Sequence, residues 1–92
     1  MSTAINKTIK RLKNIPWQVI DNQALVLTPQ QSMAHELNET ATWIWQQIDS
    51  EVTVSSIIEK MCQTFDIDHA TAEKDIFQFI NEMKAQGMIE CH

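Results

Sequence analysis

Several features on which catalytic proteins depend are scarce in this chain of 92 residues. It has a single glycine, which excludes the glycine-rich loops that cradle phosphate groups, and neither C-x-x-C nor H-E-x-x-H occurs. The three histidines are scattered, and Cys91-His92 at the end of the chain would supply only two ligands to a metal ion. The sequence therefore predicts no catalytic residues, no metal site and no cofactor.

Long apolar runs and cysteine pairs are missing as well. No apolar stretch approaches the ~18 residues that a membrane-spanning helix needs, and the N-terminus lacks the apolar region of a signal peptide. Cys62 lies inside a predicted helix and Cys91 near the end of the chain, so both are expected to be reduced thiols. We therefore expect a cytoplasmic protein without a membrane partner.

What the chain does contain is enough apolar surface for one small domain. Apolar residues make up 43% of the sequence, and no low-complexity stretch interrupts them. A chain of this size buries only about 60–65% of the surface that it exposes when unfolded. Composition thus predicts one globular domain with a single core and little room for a deep catalytic site.

Charge divides the chain into a basic arm and an acidic body. The net charge is −5, but four of the seven basic residues fall within the first thirteen positions. The remainder carries three basic residues against all twelve acidic ones, which disfavours binding to nucleic-acid phosphate. We take residues 1–16 as an N-terminal basic arm and residues 17–92 as the folded domain. The arm is either a short amphipathic helix that Pro16 ends or a loosely ordered segment that folds partly against the acidic body.

Three strands are predicted after the arm. Residues 17–21 and 24–28 contain the β-branched and aromatic residues typical of half-buried strands, and Asp21-Asn22-Gln23 tolerate a tight turn between them. A second turn at residues 29–31 leads to a third strand at residues 32–37. The order predicts a three-stranded antiparallel meander.

Three amphipathic helices follow, at about residues 38–49, 53–65 and 69–86. In the second and third helices the apolar residues expected in the core recur at helical spacing. They are Val54, Ile57, Ile58, Met61, Cys62, Phe65, Ala72, Ile76, Phe79, Ile80 and Met83. Gly87 is placed to end the last helix in a left-handed conformation, and the two residues after it are expected to fold back as an apolar plug. The predicted fold class is α+β, a winged-helix-like domain in which a three-stranded antiparallel sheet precedes a three-helix bundle (β-β-β-α-α-α).

The junction of the third strand and the first helix is the most informative segment. Asn38 is a natural N-cap, because its side-chain oxygen can accept one of the first unpaired N–H groups of the helix. The apolar residues that follow fall within one arc of the helical wheel, which puts Trp45 in the core and Trp43 about 180° away. Trp43 is therefore expected to be exposed as a contact for a partner enzyme or a dimer, unless it packs under the arm.

Three stretches of the chain have the spacing of a known family. They are Trp17 with the hairpin ending in Leu25-Val26-Leu27; His35-x-Leu37-Asn38-x-x-Ala41-x-x-Ile44-Trp45 with Asp49; and Thr53-Val54, Phe65-Asp66-Ile67-Asp68, Ala72-Glu73-x-Asp75-Ile76 and Phe79-Ile80-x-x-Met83-x-x-x-Gly87. On these residues the chain resembles the PqqD family (pyrroloquinoline-quinone biosynthesis protein D), whose fold is also the precursor-recognition domain of many systems that modify ribosomal peptides. Ser50 stands where the family often has glycine, so the resemblance identifies the family and leaves the pathway open.

The resemblance implies a non-catalytic protein that binds the leader segment of a precursor peptide and presents it to a modifying enzyme, often a radical SAM protein. The leader would add as a strand to the third strand of the sheet, in the groove beside the third helix. The expected peptide-binding residues are Ser32, Met33, Ala34, His35, Glu36, Leu37, Asp75, Phe79 and Glu82. The last three share one flank of a helix, which suits a leader with an apolar anchor and a Lys or Arg.

Plain structural roles remain open for several of these residues. Phe79 belongs to the predicted core stripe, and Asp75 is alternatively a solvated charge or the partner of a neighbouring lysine. His35 alternates with apolar residues, as a half-buried structural histidine would.

Two other functions also remain open. One is a winged-helix DNA-binding regulator, although its recognition helix at residues 69–86 is net acidic, the wrong sign for reading a groove. The other is an adaptor that binds an enzyme but no leader. A basic arm ahead of a small sheet also permits strand or arm exchange, and hence a homodimer.

Overall fold

The computed structural model of the protein describes residues 7–12, 15–27 and 34–92, which form two small sheets and three helices. The strands are β1 (Thr8–Arg11), β2 (Trp17–Ile20), β3 (Gln23–Leu27), β4 (Ala34–Glu36), β5 (Val52–Thr53) and β6 (Ile89–Cys91). The helices are α1 (Glu39–Gln47), α2 (Val54–Phe65) and α3 (His69–Ala85). The predicted α+β class is confirmed.

The predicted meander forms the first sheet, in which β3 lies between β2 and β4 and pairs antiparallel with both. Asp21 and Asn22 connect β2 to β3 with φ angles of 54° and 65°. Two successive left-handed residues are what a two-residue type I′ hairpin turn requires. Ala24 and Val26 of β3 point to the helices and are fully buried, so this face of the sheet forms one side of the core.

A second sheet, which the sequence analysis did not predict, has β1 at its centre with β5 and β6 on either side. Ile9 pairs with Val52 on one side and with Cys91 on the other, and it is fully buried. An amphipathic helix is therefore wrong for Thr8–Arg11. The partners of this strand come from the middle and the end of the chain, so local spacing could not reveal the pairing.

The buried faces of α2 and α3 are largely those predicted. All of the expected core residues on these helices are buried except Cys62, which is half-buried, and Phe65, which is 42% exposed. The prediction for Phe65 was wrong because this residue is the last of α2. Asp66 then turns the chain away with a φ angle of 53°.

The end of α3 follows the predicted pattern. Gly87 has a φ angle of 74°, and its N–H donates to the Lys84 carbonyl. The Met88 N–H reaches back to the Met83 carbonyl, which completes a Schellman motif. Met88 is fully buried, and Ile89 begins β6, so the predicted apolar plug is confirmed and continues as a strand.

The junction between the first sheet and α1 is held by two side chains. Asn38 caps α1 as predicted, because its side-chain oxygen accepts the Ala41 N–H at 2.8 Å. Thr42, which the sequence analysis did not single out, is 97% buried, with a relative exposure of 3%. Its Oγ1 accepts the Ala24 N–H at 2.8 Å and donates to the Leu37 carbonyl at 3.3 Å. The Leu37 N–H donates to the Ala24 carbonyl at 2.8 Å, so the hydroxyl completes the last rung of the β3–β4 ladder.

A cation links the two sheets. Arg11 of β1 donates from Nε to the Ile48 carbonyl at the end of α1. Its guanidinium carbon lies 5.0 Å from the ring centroid of Trp17 and 5.2 Å from that of Trp45, within the range of cation–π attraction. Burial lowers the pKa of Arg11, and the nearby Asp49 carboxylate opposes this shift. The predicted basic arm therefore contributes a charged contact at the end of α1.

Thr42→Val tests the hydroxyl bridge, because it preserves the shape of the side chain but leaves the buried Ala24 N–H without a partner. We expect the free energy of unfolding to fall by about 1–3 kcal/mol, measured as a lower midpoint in urea with an unchanged m-value. Thr42→Ser retains the hydroxyl and should lose about 1 kcal/mol or less. A larger loss in Thr42→Ser than in Thr42→Val would show that the methyl group, and not the hydroxyl, stabilises the junction.

Arg11→Met tests the cationic link, because it retains an apolar stem and removes the guanidinium. We expect a loss of about 1–3 kcal/mol in the free energy of unfolding and a shift in tryptophan emission. Lys10→Met is the matched control, since the contact of the Lys10 side chain within the described part of the chain is an exposed ion pair with Glu90 at 3.4 Å. A control variant as unstable as Arg11→Met would rule out a specific role for the guanidinium.

Candidate functional site

β4 has a free edge. Within the described residues, β3 is its only neighbouring strand. The Leu37 N–H bonds to the Ala24 carbonyl on β3, and hydrogen bonds alternate along an antiparallel strand, so His35 also faces β3. The N–H and C=O groups of Ala34 and Glu36 consequently point to the free edge, where another strand can pair with them.

A cleft of about 220 Å³ opens between α1 and α3, starting just beyond the end of β4. We call it the α1–α3 cleft, and it is lined by Asn38, Thr40, Ala41, Ile44, Asp75, Gln78, Phe79 and Glu82. Ile44 and Phe79 are 1% and 4% exposed and form an apolar floor beneath the polar side chains. The fold thus brings Asp75, Phe79 and Glu82 together, as the sequence predicted.

The two carboxylates of the α1–α3 cleft are not neutralised by the described part of the chain. Asp75 is half-buried and Glu82 is exposed. The ion pairs among the described residues lie elsewhere, at Lys10–Glu90, His69–Glu73 and His92–Glu90. Asp75 therefore does not have the neighbouring lysine partner that one of the predicted alternatives gave it, and the cleft presents uncompensated negative charge.

Not every predicted residue reaches the cleft or the edge. The Leu37 side chain is 2% exposed in the core, and its N–H and C=O are engaged by Ala24 and Thr42, so it is not available at the edge. The His35 side chain is half-buried. Ser32 and Met33 lie outside the described residues.

Trp43 is half-buried, so the prediction that it is exposed was wrong. Its ring packs edge-on against Phe65 of α2, with centroids 5.2 Å apart. The alternative of packing under the arm falls largely on residues outside those that the structure describes. Together with Val19 of β2, which is 41% exposed, these two rings line a second cleft of about 250 Å³. We call Val19, Trp43 and Phe65 the aromatic patch. β2 and β4 are opposite edges of the first sheet, so the aromatic patch borders the edge remote from β4.

Sequence reasoning missed three polar residues of the α1–α3 cleft, since it assigned Asn38 only as the cap of α1. Gln78 follows Asp75 by three residues, and the same-flank spacing that selected Phe79 would have found it. Thr40 had no comparable signal, because its place at the cleft depends on how α1 docks against α3.

The described residues include no group of three or more His, Cys, Asp or Glu side chains that could hold a metal ion. None of their helices has the length and apolar character needed to cross a membrane.

Two solved structures share this fold. TbiB1, solved in complex with the TbiA(beta) leader peptide, is 20% identical, and the match covers 88% of this chain and 94% of that chain with a TM-score of 0.79. The PqqD truncation of Methylobacterium extorquens PqqCD is 22% identical, with 90% and 88% covered and a TM-score of 0.76. Its solution NMR structure represents a functional and stand-alone recognition element for ribosomally synthesised and post-translationally modified peptides. At these identities the likeness establishes the fold.

The sequence itself shows the family. No curated protein matches the chain significantly. The sequence profile of Coenzyme PQQ synthesis protein D (PqqD) matches residues 23–89, which include β3, β4, all three helices and the start of β6. Because this match covers most of the chain, the protein belongs to the PqqD family.

Proposed function

We propose that this protein is a non-catalytic peptide chaperone that binds the leader of a ribosomally made precursor peptide and presents it to a modifying enzyme. The observation that carries the proposal is the free edge of β4 leading directly to the α1–α3 cleft. The leader complex of TbiB1, which has the same fold, supports it.

Strand addition at β4 explains how such a protein would bind an extended peptide. The leader pairs its backbone with the free N–H and C=O groups of Ala34 and Glu36, which gives affinity without regard to sequence. Its alternate side chains enter the α1–α3 cleft, where Phe79 supplies apolar surface and the carboxylates of Asp75 and Glu82 supply charge. Selectivity therefore comes from the cleft. In this arrangement Ser32 and Met33 extend the pairing edge, His35 supports it from the inner side, and Leu37 anchors its end in the core.

The modifying enzyme is proposed to dock at the aromatic patch. A large aromatic side chain at the edge of a cleft is a frequent anchor at protein interfaces, and Trp43 has this position. The aromatic patch borders β2 and the leader site borders β4, so both partners can bind at once. A radical SAM protein as this enzyme, a homodimeric state and a cytoplasmic location complete the proposal.

Glu36→Pro tests strand addition, because it removes the one N–H that this residue offers at the free edge and leaves the bonds toward β3 intact. We expect at least about tenfold weaker binding of the precursor leader, measured by calorimetry with the peptide encoded beside this gene. Glu36→Ala keeps the backbone N–H and removes the carboxylate, so it should retain most of the affinity. Unchanged affinity in Glu36→Pro, with an intact fold by circular dichroism, would refute strand addition at β4.

Asp75→Ala and Phe79→Leu test the α1–α3 cleft with the same peptide. We expect Asp75→Ala to weaken leader binding about 1.5- to 5-fold through a lost charge pair, and Phe79→Leu to weaken it about 3- to 30-fold through a lost apolar contact. Chemical shifts perturbed by the leader should fall on residues 34–36 and 75–82. Glu59→Ala, on the exposed face of α2, is the matched control and should bind as the unmodified protein does. Unchanged affinity in both cleft variants would place the groove elsewhere.

Trp43→Ala tests whether the leader and the modifying enzyme bind at separate surfaces. We expect weaker binding to the modifying enzyme and unchanged affinity for the leader, both measured by calorimetry. Phe65 is exposed, and its ring packs on Trp43. Phe65→Ala removes this ring and should weaken enzyme binding in the same way. Loss of leader binding in either variant, with the fold intact, would contradict separate surfaces.

A further inference from the structure

The charged and apolar groups of the α1–α3 cleft lie at fixed separations along α3. These separations define a class of leader. We infer that the segment bound in the cleft has the pattern basic–x–apolar–x–basic, in which the basic residues are Lys or Arg. The inference rests on the proposed function, and it concerns the order and separation of the leader side chains that the cleft selects.

The cleft offers its three α3 groups in a fixed order. Asp75, Phe79 and Glu82 are separated by four and three residues, which corresponds to about 6 Å and 4.5 Å along the helix axis. The apolar floor therefore lies between the two carboxylates. A peptide lying along α3 meets negative charge, then apolar surface, then negative charge.

The side chains of an extended peptide repeat at a different distance from those of a helix. The peptide side chains on one face recur every ~6.6–6.8 Å, and the residues between them point to the opposite face. A side chain seated over Phe79 therefore has its same-face neighbours two residues away on each side. These distances exceed the helical separations by about 1–2 Å, which the long, flexible side chains of Lys or Arg can absorb. A basic residue one or three positions from the apolar residue would point to the opposite face of the peptide, away from α3.

The outer face adds a third carboxylate. Glu36 is exposed on β4, and a leader residue paired opposite it lies within reach of its side chain. The described residues place no Lys, Arg or His among those that line the α1–α3 cleft. An acidic leader segment would face repulsion on both faces, so negative charge is excluded from the bound segment.

A selection from random short peptides displayed on phage tests the pattern without knowledge of the natural leader. Peptides enriched by the unmodified protein should carry Lys or Arg two positions before and two positions after an apolar residue. Asp75→Lys should reverse the preference to Asp or Glu on one side of the apolar residue, and Glu82→Lys should reverse it on the other. Glu59→Lys changes the net charge equally on another helix and should enrich the same peptides as the unmodified protein. Synthesised as a free peptide, the best sequence should lose about 1.5- to 5-fold in affinity for each carboxylate removed.

The outcomes separate this inference from the proposed function. Enriched peptides that perturb the chemical shifts of residues 34–36 but show no basic pair at this spacing would overturn the inference and leave leader binding in place. Charge preferences that do not respond to Asp75→Lys or Glu82→Lys would overturn it as well. Enriched peptides that bind away from β4, or no enrichment at all, would overturn both.

Discussion

The hydroxyl of Thr42 is the contact on which the geometry of the proposed leader site depends. Thr42 lies on α1. Its hydroxyl accepts a hydrogen bond from the Ala24 N–H on β3 and donates one to the Leu37 carbonyl after β4. A buried N–H without a partner costs free energy, so the hydroxyl fixes the sheet and the helix relative to one another. The free edge of β4 and the α1 wall of the cleft meet at this point. A direct ladder bond in the same place would have joined the two strands without a hydrogen bond from α1.

The α1–α3 cleft and the cleft at the aromatic patch differ in chemistry as well as position. The α1–α3 cleft beside β4 has two carboxylates that form no ion pair with the described residues, above an apolar floor, which suits a short segment carrying opposite charge. The aromatic patch beside β2 has two rings in contact and Val19 next to them, which suits a larger partner that buries apolar area. The proposed function uses both surfaces, with the leader peptide at one edge of the first sheet and the modifying enzyme at the other. Arg11 ties β1 to the end of α1 through the Ile48 carbonyl and two tryptophan rings.

Much of the fold and part of the site could be predicted from local spacing. The hairpin turn, the Asn38 and Gly87 caps and the buried faces of α2 and α3 follow from neighbouring residues, since caps and helical stripes are local properties. The grouping of Asp75, Phe79 and Glu82 followed for the same reason. The second sheet was missed because β1 pairs with segments more than forty residues away. Phe65 was misplaced because it is the last residue of α2, and Trp43 because its half-buried position depends on its contact with the Phe65 ring.

The sequence by itself determined which residues form the helices, where those helices begin and end, and which of their faces is apolar, and it carried enough family spacing for the PqqD relationship to be recognised. Only the tertiary structure decided that the N-terminal segment is the central strand of a second sheet and that Thr42 completes the β3–β4 ladder. It also decided that the backbone groups of Ala34 and Glu36, and not those of Leu37, face the free edge. The physical reason is the same in each case. Helical periodicity and capping act within a few residues, whereas strand pairing and hydrogen bonds between elements are settled when distant segments compete for the same buried partners.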